Sequence, residues 1–377
     1  LDTDSTRRDE LIVSFADRIL KQQPDSPLSI YGTALRALAR DGTLGEPFDR
    51  LVNQLVQASP ATGGSDSMVL VPWRDLAQGL VDIGQPKAAA RVTRARLHGG
   101  DELSKPAKGF MAVLAIAADA ARRDQAGAPQ SIALIREMHR EGLLQWMPIL
   151  SQRPTLANAL FEASQIYMLV GDNDGVIAML DEALKHNPRH AMAMNNLAYT
   201  RLIRGDTSQE VGELLQQANE LQPNDSNILD SLGWWRYKIG WLNDNEPAFG
   251  EGPGAITLIR KAANQAAQPS AEVLDHLGDA LWRNGQDDQA VEAWQEARTL
   301  LTSPGWRQQT LQTYRLLQSR LWGLVVMDPE TVYDRDLGAI LRRVERKLKA
   351  VDAGNPPPVA PMFDENAKQA AVDKPGQ

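Results

Sequence analysis

The sequence predicts an all-α protein built from stacked helical hairpins, and three observations carry that prediction. Apolar residues recur with the three-to-four-residue period of amphipathic helices, while alternating strand patterns are nearly absent; the nearest candidate is the short run Leu324-Val325-Val326. Glycines recur at Gly171, Gly205, Gly240 and Gly285, spaced 34, 35 and 45 residues apart. Around each of them the same apolar and small residues return in register, the mark of an internal repeat.

From the N-terminus, Leu11, Phe15 and Ile19 lie four apart with Ile12, Ala16 and Leu20 beside them, forming one stripe that a helix can bury, and Pro24 stops that helix. Breaks at Asp41-Gly42, Ser59 to Ser67, Gly84-Gln85-Pro86, Gly99-Gly100, Gly127 to Pro129 and Pro154 divide the first half into helices of ordinary length. There Trp73-Arg74-Asp75-Leu76-Ala77, Gly84 and Ala89 fit one copy of the repeat, whereas 25–60 and 104–142 read as degenerate helical pairs. In the second half Leu197-Ala198, Leu232-Gly233 and Leu277-Gly278 stand at one fixed distance before their glycines, and Ala163-Ser164 with Tyr167 fills the same slot before Gly171. The second helices carry Ala183, Ala218, Ala262 and Ala297, and Pro188, Pro223, Pro269 and Pro304 close the units. Small residues at these slots let antiparallel helices approach closely.

The third of these units carries an insertion, Asn243 to Gly254, in the turn between its helices. Its Asn, Asp, Glu, Pro and Gly content predicts a surface excursion. After Pro304 two further helices are expected, at about 305–322 and 331–350. The second has Leu337, Ile340, Leu341, Val344, Leu348 and Val351 on one face, with Arg342, Arg343, Arg346, Lys347 and Lys349 around the rest, and is expected to cap the open end of the stack. The tail from 351 to 377, with Pro356-Pro357-Pro358 and Pro361, has too little apolar content to fold alone and is expected to be disordered.

These residues resemble the tetratricopeptide repeat, a 34-residue helix–turn–helix unit with Leu-Gly in its first helix, small residues in its second and a closing Pro. The resemblance is dense over about 155–304 and thins upstream. It implies a right-handed α-solenoid, with 1–154 a degenerate helical-repeat half, 155–304 the repeat array, 305–350 capping helices and 351–377 the tail. It also implies that the first helix of each unit lines a concave groove. Carried over by position, the groove residues are Phe161, Gln165, Met168 and Leu169, then Asn195, Tyr199, Leu202 and Ile203. The next two units add Asp230, Trp234, Tyr237 and Lys238, then Asp275, Asp279, Trp282 and Arg283. Aromatic rings among carboxylates and amides suit a protein or peptide segment with apolar anchors near basic or amide-rich side chains. Members that clamp a terminal carboxylate need Lys and Arg where this chain has Asp230, Asp275 and Asp279, so that ligand is not expected here.

Chemistry beyond binding finds little support. The 377 residues carry 40 Lys and Arg against 48 Asp and Glu, a net charge of −8 that argues against nucleic acid as the main partner. With no Cys, disulfides, thiolate metal sites and a cysteine nucleophile are excluded. The longest apolar stretch, Phe110 to Ala118, falls far short of the roughly 20 residues that span a bilayer. His186 and His190 have metal-ligand spacing, but Pro188 between them favours two junction histidines. Gly250-x-Gly252-x-Gly254 follows no strand and lacks the dinucleotide spacing. His276 between Asp275 and Asp279 reads as a polar groove face rather than a catalytic set, since no nucleophile or oxyanion donor lies near it in sequence. The expectation is therefore a non-enzymatic interaction scaffold without cofactor or metal. The alternative is a recruiting or regulatory domain of a larger enzyme or envelope assembly, with the start at Leu1 rather than Met suggesting an upstream segment. Cytoplasmic and envelope-associated locations both fit this composition.

Overall fold

The computed structural model describes residues 3–22, 27–40, 44–58, 66–99, 103–122, 124–150, 153–266, 268–319 and 327–362. Among these every regular element is helical. The run Leu324-Val325-Val326 lies outside the described residues, as does 363–377. The chain divides into two compact units, one formed by 1–186 with 315–328 and one by 187–314 with 329–377.

The first unit holds α1 (Thr3–Gln22) and four helical pairs: α2 (Pro27–Ala39) with α3 (Glu46–Ala58), α4 (Asp66–Asp82) with α5 (Pro86–His98), α6 (Lys105–Ala121) with α7 (Gly127–Arg140), and α8 (Leu156–Val170) with α9 (Asn173–His186). The apolar run 110–118 lies inside α6, which is buried nearly all round between α4 and α8. Close approach there depends on Gly109, where a Cβ would sit 2.1 Å from the carbonyl oxygen of Trp146. Asp119 of α6 is fully buried, bonded by Arg94 at 3.0 Å and by the Ser131 hydroxyl at 3.1 Å, and Tyr167 donates to Ser131 Oγ at 2.9 Å. The network gives a buried carboxylate the partners it requires.

The second unit stacks α10 (Ala191–Ile203) with α11 (Gln209–Leu221), α12 (Ser226–Ile239) with α13 (Ala255–Gln265), and α14 (Ala271–Arg283) with α15 (Asp287–Thr302), followed by α16 (Pro304–Ser319) as far as Tyr314 and by α17 (Pro329–Asp352). The periodic glycines of both units lie at or just past the ends of first helices, with φ of +74° at Gly171, +93° at Gly205, +88° at Gly240 and +72° at Gly285. That left-handed backbone ends a helix at no steric cost only for glycine, which explains their recurrence. Small-residue slots are buried as expected: Ala183, Ala218, Ala262 and Ala297 are all inaccessible. A Cβ on Gly233 would come within 2.6 Å of Ile259 Cγ1, and one on Gly278 within 2.3 Å of the Trp294 ring nitrogen.

The insertion at 243–254 lies on the surface between α12 and α13, and it is tied down. Asn245, at φ +52°, accepts the Gly252 N–H on its side chain at 2.8 Å, Asp244 accepts the Gly254 N–H at 2.7 Å, and Phe249 stacks on Trp241. Arg236 lies under this loop against the Trp241 face, 4.0 Å from its centroid, and burial pushes its guanidinium down to about 10.

The tail is corrected over part of its length. Residues 353–362 do not drift free: a turn at Gly354, φ +70°, ends α17 and returns the chain across the second unit, where Val359, Ala360 and Met362 pack on its core. The apolar surface that this segment cannot supply for itself is supplied by the core of the second unit. No helix among the described residues is long and apolar enough to cross a membrane.

Candidate partner groove

First helices α10, α12 and α14 face a cleft of about 380 Å³. Trp234 and His276 line it with their rings stacked at 3.8 Å, and the buried Tyr237 stacks on Trp234 at 4.6 Å, each pair nearly parallel. The first pair is set by the packing of α12 against α14. Helical spacing accounts for the second, since residues three apart share a face. Asp230, one turn before Trp234, accepts from His276 Nδ1 at 3.1 Å. Burial opposes a charge on His276, but Asp230, with Glu272 and Asp275, raises its pKa above the usual imidazole value. Tyr199 of α10 donates to Glu272 of α14 at 2.7 Å; burial and that carboxylate push the phenol well up.

The carboxylates at the base of the cleft are not open to solvent. Asp275 and Asp279 are each 2% exposed, and Lys347 of α17, equally buried, bonds both, reaching Asp275 at 2.6 Å. Arg343, one turn earlier on α17, adds bonds to Asp275 at 2.9 and 3.1 Å. Burial, with Asp275 alongside, pushes the Asp279 carboxyl up against the pull of Lys347 and of the Ala360 N–H, which it accepts at 2.9 Å. The neighbouring Ala360 carbonyl accepts from the Tyr237 hydroxyl and, at 3.4 Å, from Arg283. The Pro361 carbonyl accepts from Lys238 Nζ at 3.0 Å. Burial, with Arg283, Arg343 and Lys347 nearby, pushes that ammonium down to about 8 despite Asp279, and it sits over the Trp234 ring at 4.9 Å.

Of the residues expected to form the groove, Tyr199, Trp234, Lys238, Asp275 and Asp279 line this cleft, and Tyr237, Arg283 and Asp230 support it. Trp282 departs from expectation: its ring packs at 5.9 Å against Trp294 of α15, within the pair. Asn195 is buried on α10, bonded to Asn196 at 3.2 Å, and does not reach the cleft. Phe161, Gln165, Met168 and Leu169 belong to α8 of the first unit. His186 and His190 have separate tasks, the first bonded to Glu182 at 3.1 Å and the second capping α10. Position-by-position reading missed Glu272 of α14 and the contributions of Arg343, Lys347 and 358–361. The visible signal was a pair of cations four apart on an otherwise amphipathic helix.

The chain matches no established protein-family profile. It is 33% identical over 130 residues to a TPR repeat-containing protein of Pseudomonas aeruginosa, an alignment that covers 34% of this chain and 20% of that protein. The chain therefore aligns with about a fifth of the length of that relative. The glycine period and the buried small-residue slots give the helical hairpins the features of tetratricopeptide repeats, and the aligned stretch is similar to part of that repeat protein.

Proposed function

We propose that this chain is a non-catalytic scaffold for other proteins, and that the cleft lined by α10, α12 and α14 is where a partner segment docks. The supporting observation is that a piece of polypeptide, 358–361, already lies along the cleft as part of its lining, with main-chain N–H and C=O groups held by Asp279, Tyr237 and Lys238. Such groups recognise main chain of any sequence, and Trp234, which lines the cleft beside them, offers contact for apolar side chains at small entropic cost. Nothing in the arrangement resembles a reaction centre: His276 is engaged by Asp230 and Trp234, and the carboxylates are neutralised by Lys347 and Arg343.

The test is crosslinking mass spectrometry on a complex with a purified partner, combined with calorimetry on two groove variants. Ile203 is exposed at the edge of the cleft and takes no part in holding the residues already there, so Ile203→Asp perturbs the surface alone. Together with Tyr199→Ala it should weaken binding at least about tenfold with the helical signal intact. Wild-type affinity in both variants, with crosslinks on the loop at 243–254 or on second helices, would refute the groove.

A further inference from the structure

The segment in the cleft belongs to the chain itself, and its contacts describe what the cleft accepts. Two of its N–H groups have described bonds: Ala360 donates to Asp279, and Val359 donates to the Pro357 carbonyl at 2.9 Å, closing a tight turn within the segment. Its carbonyls at 360 and 361 go to Tyr237 and Lys238. None of these bonds uses a side chain of the segment. Pro358, Val359 and Pro361 line the cleft, and Met362 approaches Gly240, so the side chains present are small, apolar or proline.

The segment is also mechanically separable from its anchor. Helix α17 is held by Ile340, Val344 and Leu348 in the core and by Lys347 at the carboxylates. The turn at 353–355 follows, closed by Gly354 N–H to Val351 O at 2.8 Å and Asn355 N–H to Ala350 O at 2.9 Å. Beyond it, Pro357 is buried while Pro356, Pro358 and Pro361 are exposed. A short, half-exposed stretch outside any helix belongs to the part of a protein that opens at small cost, while α17 stays in place.

We propose that residues 356–362 are a built-in occupant of one side of the partner cleft that a partner must displace, and that the partner segment shares its chemistry: a non-helical, proline-containing stretch of small apolar residues read through its main chain. This rests on the cleft being the partner site. A tethered ligand competes at an effective concentration on the order of millimolar. If the free segment binds with a Kd of about 100 μM, tethering reduces the apparent affinity of an incoming segment about tenfold.

The experiment keeps the full chain and alters only the occupant. Val359→Asp with Ala360→Pro removes the apolar contact and the N–H given to Asp279, leaving α17 untouched. The probe is a fluorescein-labelled synthetic peptide of residues 354–362, titrated by anisotropy. The altered chain should bind it at least about tenfold more tightly than the unaltered chain, and hydrogen exchange should show the Ala360 amide protected in the unaltered chain. Equal binding to both chains, no binding to either, or an Ala360 amide exchanging as in an unstructured peptide would overturn the proposal. The two readings fail separately: crosslinks on the cleft with no gain in peptide binding sink the occupant alone, whereas tighter peptide binding with a partner indifferent to Ile203→Asp sinks the cleft as partner site.

Discussion

Lys347→Met is the most informative single perturbation, because the Lys347 ammonium is almost fully buried and touches two buried carboxylates. Removing it leaves Asp275 with Arg343 but leaves Asp279 with only the Ala360 N–H. Breaking a buried ion pair from one side costs about 3–5 kcal/mol, because the orphaned charge stays out of water. At about 2–4 °C per kcal/mol for a unit of this size, concerted unfolding would lose about 6–20 °C in melting temperature. A stack of repeats can also open from one end, so the loss cannot exceed what it costs to detach α17 and the segment after it. Hydrogen exchange should therefore report α17 opening before α12 or α14.

The sign with pH follows from Asp279. Its folded pKa lies above its unfolded value near 3.8, so its contribution to stability is full below that value and is lost as pH rises through the folded pKa. Without Lys347 the folded value rises further, and acidification from pH 7 towards 5 should narrow the gap between variant and wild type. Asp279→Asn in the Lys347→Met background should recover most of the loss, because it removes the orphaned charge. Melts and exchange profiles of the single variant matching wild type, or no recovery in the double variant, would refute the reasoning.

Three further outcomes are expected. Gly278→Leu forces a side chain into space where even a Cβ would lie 2.3 Å from Trp294 Nε1, and should lower stability by at least about 1–3 kcal/mol in thermal melts; an unchanged melt would mean that the repeat register is misplaced. Phe249→Ala should cost about 0.5–1.5 kcal/mol through the lost stack on Trp241, with unchanged helical circular dichroism; loss of the helical signal would mean that the loop at 243–254 supports the array rather than decorating it. His276, whose folded pKa is raised, contributes stability that is full below its unfolded pKa near 6.5 and falls as pH rises through the folded value, so His276→Gln should flatten the melting temperature above about pH 6.5; parallel curves would contradict its charge.

The repeat was legible because its signals are local. A glycine that must adopt positive φ and a small residue that must sit against a facing helix are fixed by steric demands of the hairpin itself, so Gly240 and Gly233 could be read without knowing what surrounds them. The groove carboxylates were equally legible as Asp230, Asp275 and Asp279. Their burial was not, because the groups that cover Asp275 and Asp279 lie some 68 to 81 residues downstream. Trp282 misled because the position rule counts from its own helix and cannot register Trp294, which offers a competing surface on α15. The tail at 353–362 misled for a related reason. Low apolar content means that a segment cannot make its own core, and says nothing of whether it can borrow one.

The chemistry of the cleft restricts the conformation of a ligand more than its sequence. Asp279 is a buried carboxylate whose second oxygen requires a donor, and here a main-chain N–H meets that need while the adjoining carbonyls satisfy Tyr237 and Lys238. A helix cannot replace it along its length, because its N–H and C=O groups are already paired internally; only its ends have any to spare. A strand from a sheet has spent half or more of its groups in the same way. A non-helical segment, like the resident one with its single internal bond from Val359 N–H to the Pro357 carbonyl, keeps most of them, and proline lowers the entropy lost on docking. An emptied cleft would leave Asp279 without its main-chain donor and uncover the Tyr237 and Trp234 rings, so the chain is more stable with the cleft filled. The proposed displacement would exchange one main-chain segment for another, with nearly equal numbers of bonds before and after. In such an exchange modest differences in side-chain fit against Trp234 decide which segment holds the site.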